Sequence, residues 1–250
     1  SPSPPTHARG RRVDVCPLCL AGDARCYLRL LWMNGWVGVC PDHHVALTGQ
    51  CPSCYCLLRV ASLKATTPID MAACRKCGAK LAGAKADPAH KIALRLQNAL
   101  VVGKRSGDTV LPGIGRLDWP TTMALADVLL GMVWIGVPPE RHRRLFNRIA
   151  DDIKLSEDER RWLPWGSNYG GLLILAWLLE DLGRLPVAIG IVRSPWRERL
   201  LDRTPDLTED IAGRLREILA PAAAPVPKGR RSWRAWIDSL PQSGDDLRVR

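Results

Sequence analysis

The sequence predicts a mainly α-helical protein that carries a small cysteine-rich module ahead of an all-helical domain. Three observations point there. All nine cysteines of the 250 residues fall before residue 78. Apolar residues recur at helical spacing through most of the chain after residue 87, and no alternating strand pattern runs through residues 90–250. Residues 221–227, Pro-Ala-Ala-Ala-Pro-Val-Pro, form a stiff linker near the end.

The cysteine-rich module spans residues 16–82, after a Pro- and Arg-rich lead over 1–15. Cys16-Pro-Leu-Cys19 is followed, twenty residues on, by Cys40-Pro-Asp-His43. Cys51-Pro-Ser-Cys54 is followed, nineteen residues on, by Cys74-Arg-Lys-Cys77. Two intervening residues let a tight turn aim both side chains at one ion, and two such knuckles close a tetrahedron. The pattern predicts two zinc ions per chain, in a zinc-ribbon or zinc-finger module with short β-hairpins at the knuckle turns. The ligands are Cys16, Cys19, Cys40 and His43, then Cys51, Cys54, Cys74 and Cys77. An interleaved pairing would use the same eight residues. His44 competes with His43, and the spacing of the other knuckles favours His43. Cys26 reads as a small core residue, and Cys56 as a spare thiol that can substitute in a damaged site. With four protein ligands each, both centres read as structural, because a catalytic zinc keeps a position open for water.

Beyond the module, a helical domain is expected over 87–220. Asp87 and Pro88 look like an N-cap and first helical position. Ile92, Leu96, Ala99 and Leu100 make the stripe of that helix, and Gly103 stops it. Residues 104–118 read as a Gly-rich loop. Further helices are expected over 121–136, from Pro138-Pro139 to about 153, from a capping box at Ser156 and Glu159, over 171–182, and from near Thr208 to before Pro221. Past the linker, Trp233, Trp236, Ile237 and Leu240 recur at helical spacing. They predict a basic amphipathic C-terminal helix within 228–250, with Trp233 and Trp236 as anchors on the chain's own core or on a partner.

The formal net charge of +11 falls to roughly +8 once seven thiolates and two zinc ions are counted. That surplus favours nucleic acid or an acidic partner. The densest basic stretch includes Arg141, Arg144 and Arg148, spaced i, i+3 and i+7 on the helix opened by Pro138-Pro139, and these are the candidate phosphate contacts. An enzyme is not expected. There is no His-Glu-x-x-His, no nucleophile motif, and the Gly103-Lys104 pair lacks the other residues of a phosphate-binding loop. The start, Ser1-Pro-Ser-Pro-Pro, has no apolar core, and the apolar run 123–137 is too short to span a bilayer. A cytoplasmic location and no membrane association are expected.

One resemblance is more specific than the cysteine spacing. The run Cys16-Pro-Leu-Cys-Leu, Tyr27-Leu-Arg-Leu-Leu-Trp32, Val39-Cys-Pro-Asp-His43, Leu47, Cys51-Pro-Ser-Cys and Cys74-Arg-Lys-Cys-Gly-Ala-Lys-Leu81 resembles the TniQ family over residues 15–82. Asn168-Tyr-Gly-Gly-Leu-Leu-Ile-Leu-Ala-Trp177 with Leu185-Pro186 resembles its C-terminal helices more loosely. The resemblance implies a non-catalytic adaptor of DNA transposition that helps choose the target site. Some members bind target DNA. Others ride on an RNA-guided CRISPR effector, commonly as a homodimer, and recruit the transposition ATPase and transposase. Only the eight zinc ligands carry over residue by residue. Family members usually have a helical, helix-turn-helix-like segment before the first knuckle, whereas fifteen residues precede Cys16 here. The alternative reading is a zinc-dependent DNA-binding regulator outside transposition.

Overall fold

The structure is a computed structural model that describes residues 11–60, 70–134, 139–155, 157, 160, 167–192 and 207–219. The first described element is a two-residue strand β1 (Arg11–Arg12), paired antiparallel with β2 (Arg59–Val60). Between them lie the short helix α1 (Pro17–Gly22) and a 3-10 turn (Leu30–Met33). The rest of the module is held by isolated bridges. Val39 pairs with Ala46, Gln50 with Leu57, and Ala73 with Lys80. Each bridge frames one knuckle, so three of the four are hairpins as expected. The first is not: Cys16 is the N-cap of α1, Pro17 opens it, and Cys19 lies within it.

Six helices follow the module among the described residues. They are α2 (Lys91–Ser106), α3 (Trp119–Trp134), α4 (Pro139–Asp152), α5 (Asn168–Glu180), α6 (Leu185–Val192) and α7 (Glu209–Leu219). α5 is the hub. Ten of its thirteen residues are buried, from Tyr169 to Leu179 with Gly171 the exception. A helix apolar on all sides has to be enclosed, and α2, α3 and α4 surround this one. Ser167 caps it, its hydroxyl accepting the Gly170 N–H at 3.1 Å. α6 packs on α3 and α4 and carries α7.

The structure departs from the sequence reading in several places. Residues 108–118 are not loop but a β-hairpin, β3 (Asp108–Leu111) against β4 (Gly115–Asp118), laid on α2 and α3. Only Leu111 and Thr109 of β3 are buried, and strands this short carry too little alternation to show. Gly103 does not stop α2. It lies inside the helix, where a Cβ would collide with the Thr109 hydroxyl. The helix ends at Gly107, whose φ of 87° is the left-handed cap that glycine accepts without a Cβ penalty.

α2 also starts later than expected. His90 is its N-cap, with Nδ1 accepting the Ile92 N–H. Asp87 and Pro88 are occupied elsewhere: the Ala46 N–H donates to the Asp87 carbonyl at 2.9 Å, and Val45 bridges Pro88. α6 has no counterpart among the expected helices. The Ser156–Glu159 capping box, the linker 221–227 and the segment 228–250 with Trp233 and Trp236 lie outside the described residues. Among the described residues, no helix is long and apolar enough to cross a membrane.

Candidate metal centres

Both predicted ligand sets come together, each in sequential pairing, with every ligand atom of a set within 4.8 Å of the others. In the first centre His43 turns Nδ1 inward, 3.7 Å from Cys16 Sγ, 3.3 Å from Cys19 Sγ and 3.5 Å from Cys40 Sγ. Cys19 and Cys40 are 3.5 Å apart. Zinc bonded to sulfur at about 2.3 Å and to nitrogen at about 2.0 Å sets tetrahedral ligand separations of roughly 3.5–3.8 Å. The donor set therefore fits zinc. His44 lies outside the ligand set and takes the left-handed turn that closes the knuckle, with φ 54°. Its carbonyl accepts the Ala89 N–H, tying the knuckle to the approach of α2.

The surrounding backbone is arranged for thiolates. Cys16 stands at a helix N-terminus, and its sulfur accepts the Cys19 N–H at 3.5 Å, where the helix dipole favours negative charge. The Cys40 thiol is brought down to about 5, first by its hydrogen bond with Cys16, with further help from His43 and from the backbone N–H groups of His43 and Asp42. Cys16 is pushed up by the same hydrogen bond and by burial. A bound zinc ion would displace the protons that remain on these thiols. Arg29 lies beside this centre. It makes a two-pronged pair with Asp23 at 2.9 and 3.0 Å and stacks between Tyr27 at 4.7 Å and Trp32 at 4.8 Å.

In the second centre Cys51 and Cys77 are 3.6 Å apart, and Cys54 and Cys74 are 3.8 Å apart. These again match a tetrathiolate zinc. Cys74 shows the same tuning. Burial would raise it, but the N–H groups of Cys77 and Lys76 bring it down to about 6. Cys54 is lowered as well, chiefly by the backbone N–H of Cys56. The thiol of Cys56 lies 3.3 Å from Cys54 Sγ and 3.5 Å from Cys74 Sγ. Cys26 is not a ligand: its thiol donates to the Leu20 carbonyl at 3.0 Å.

The structure also reveals polar contacts that join the module to the helices and that the sequence reading missed. Gln97 on α2 accepts the N–H groups of Gly38 at 2.9 Å and Val39 at 2.7 Å, and donates to the Val39 carbonyl at 2.7 Å. Asp14 accepts the Asn168 N–H at 2.9 Å at the start of α5, and the Tyr169 hydroxyl accepts the His90 N–H at 2.9 Å. A signal for Gln97 was present in the chain: it is the polar residue that interrupts the apolar stripe of Ala93, Leu96 and Leu100, and it is fully buried.

The candidate phosphate contacts lie on α4, whose Leu145, Phe146, Ile149 and Ala150 face the core. Arg144 and Arg148 are exposed on the opposite side together with Arg143. Arg148 pairs with Asp152 at 3.0 Å. Arg141 differs from them. It is half-buried and donates to the Val192 carbonyl at 3.2 Å, at the end of α6.

Fold and centres together define a helical protein built onto a double zinc module, each centre closed by four protein ligands. The family model for TniQ, a family associated with transposition, matches residues 2–47, a span that holds all four ligands of the first centre. No curated protein and no solved structure gives a match.

Proposed function

We propose that this chain is a non-catalytic adaptor of DNA transposition that helps select the target site and recruits the transposition machinery. The observation that carries the reading is the TniQ match over residues 2–47, which coincides with a fully formed Cys3His centre. The closed ligand sets support a scaffolding rather than a hydrolytic role for the metal, since neither centre needs water as a fourth ligand. The positive net charge supports a nucleic-acid or nucleoprotein partner. On this reading the zinc module shapes a rigid platform, and the exposed arginines of α4 meet phosphates of DNA or of a guide-RNA complex. The partners are a transposition ATPase and either an RNA-guided CRISPR effector or target DNA directly, with a homodimer as the working form.

The test is a pull-down with tagged protein against three baits: the transposition ATPase, a guide-RNA effector complex, and duplex DNA. Retention of the ATPase together with either of the other two supports the adaptor. Retention of DNA with no ATPase binding favours the regulator outside transposition, and retention of none overturns both readings.

A further inference from the structure

Three knuckle loops of the module share one backbone plan. In each, the first residue's N–H bonds the sixth residue's carbonyl: Cys40 to Val45 at 2.9 Å, Cys51 to Cys56 at 2.9 Å, and Cys74 to Ala79 at 2.8 Å. The fifth residue's N–H returns to the first carbonyl, from His44, Tyr55 and Gly78 at 2.9, 2.9 and 2.7 Å. All three fifth residues have positive φ, at 54°, 56° and 73°. The sixth position is therefore fixed relative to the first ligand of its knuckle. In two loops it carries Val45 or Ala79, which have no ligating atom. In the 51–56 loop it carries Cys56.

The Cys56 thiol approaches the second centre as closely as its own ligands approach one another. It is 3.3 Å from Cys54 and 3.5 Å from Cys74, against 3.8 Å for Cys54–Cys74 and 3.6 Å for Cys51–Cys77. A fifth sulfur thus stands beside two of the four ligands, just outside the set whose ligand atoms all lie within 4.8 Å of one another.

We propose that Cys56 is an exchange ligand of the second zinc, taking the place of Cys54 while Cys51, Cys74 and Cys77 hold. The step is a ligand substitution without oxidation. The zinc–sulfur bond to Cys56 forms as that to Cys54 breaks, and the proton leaving the Cys56 thiol passes to the departing Cys54 thiolate 3.3 Å away. Both residues sit on one loop, so the swap requires that loop to shift until the Cys56 sulfur also closes on Cys51 and Cys77. The first centre has no equivalent thiol at Val45. The second ion is accordingly the more readily exchanged of the two, because a ready incoming ligand opens an associative route for release.

The inference rests on the second cluster binding zinc, which the wild-type chain checks separately. The experiment measures zinc per chain, and the thiolate-to-metal charge-transfer band after cobalt substitution, in the full chain and in C54S, C56S, C54S/C56S and C51S. The wild type should hold two ions. C54S should also hold two, with the charge-transfer intensity of the wild type, because Cys56 supplies the missing thiolate. C54S/C56S and C51S should each hold one. C56S keeps the original quartet, so it should hold two ions and release the second to a chelator several-fold more slowly than wild type. A C54S chain with one ion, or with two and a weaker charge-transfer band, overturns the proposal. So does a C56S chain that releases zinc at the wild-type rate, a readout that decides the matter even where C54S fails to fold. A wild-type chain with one ion would instead remove the second centre itself.

Discussion

The side-chain amide of Gln97 reads the backbone of Val39 on both sides, accepting its N–H at 2.7 Å and donating to its carbonyl at 2.7 Å. It thereby does for the module what a neighbouring strand would do, one residue before the first ligand of a knuckle. Gln97→Leu should leave the Gly38 and Val39 N–H groups and a carbonyl buried without partners. Each such group costs about 1–3 kcal/mol, so denaturant unfolding should show a loss of at least about 3 kcal/mol for the three of them. A loss below about 0.5 kcal/mol, the range of ordinary surface changes, would show that the clamp does not hold the two parts together.

Gly38 lies tightly against the first turn of α5. A Cβ there would lie 2.5 Å from the Tyr169 Cα and 2.7 Å from its N. Both are backbone atoms that cannot rotate away. Gly38→Ala should destabilise by about 1–3 kcal/mol, the usual range for overpacking. Gly22→Ala is the control, since nothing lies within 4 Å of the added carbon. Equal thermal midpoints for the two variants would contradict the contact.

Zinc should be measured at two ions per chain, one for each ligand cluster, and chelation should remove folded structure around both. The ligands converge from segments far apart in the chain, so metal-binding free energy adds to the folding free energy of the module. Cys51→Ser should lower stability and metal content more than Cys56→Ser. A folded, unchanged circular dichroism spectrum after complete chelation would refute the structural role.

Acid should release the metal. Cys40 and Cys74 ionise at about 5 and about 6 in the folded chain, against an ordinary value of 9.0. A lowered value means that the thiolate's contribution is fully present above the ordinary value and is lost as pH falls through the folded one. Zinc retention, followed by a released-metal indicator, should therefore fall as acid protonates the ligating thiolates, and the thermal midpoint of the zinc-loaded chain should fall with it. Retention that does not change with acid would contradict thiolate ligation.

The exposed side of α4 gives a binding prediction. Charge reversal at Arg143 and Arg144 should weaken nucleic-acid binding and reduce its salt slope by about two, roughly one for each phosphate that is no longer neutralised. Arg141→Ala should instead act mainly on stability, because its guanidinium is bonded to the Val192 carbonyl. Unchanged affinity of the double reversal at low salt would remove this face from the interface.

Features that depend on short-range chemistry were legible in the chain alone. Eight ligands at two-residue spacing specify two centres, because each tight turn aims its own pair wherever the rest of the chain goes. The apolar runs that became α3 and α5 were legible for a similar reason, since a long apolar helix shows in any window. Whatever depends on a distant neighbour emerged only on folding. Asp87 and Pro88 carry a good helix-start signal, yet Val45 and Ala46 recruit them into backbone pairing and the helix opens at His90. Gly103 reads as a stop until Thr109 is folded against it. Cys56 reads as spare until Cys74 arrives from eighteen positions away and leaves its thiol 3.5 Å from a ligand. In each case the local signal was real, and a contact across the fold outweighed it, because burial and hydrogen bonds to a distant partner are worth more than a cap or a turn preference alone.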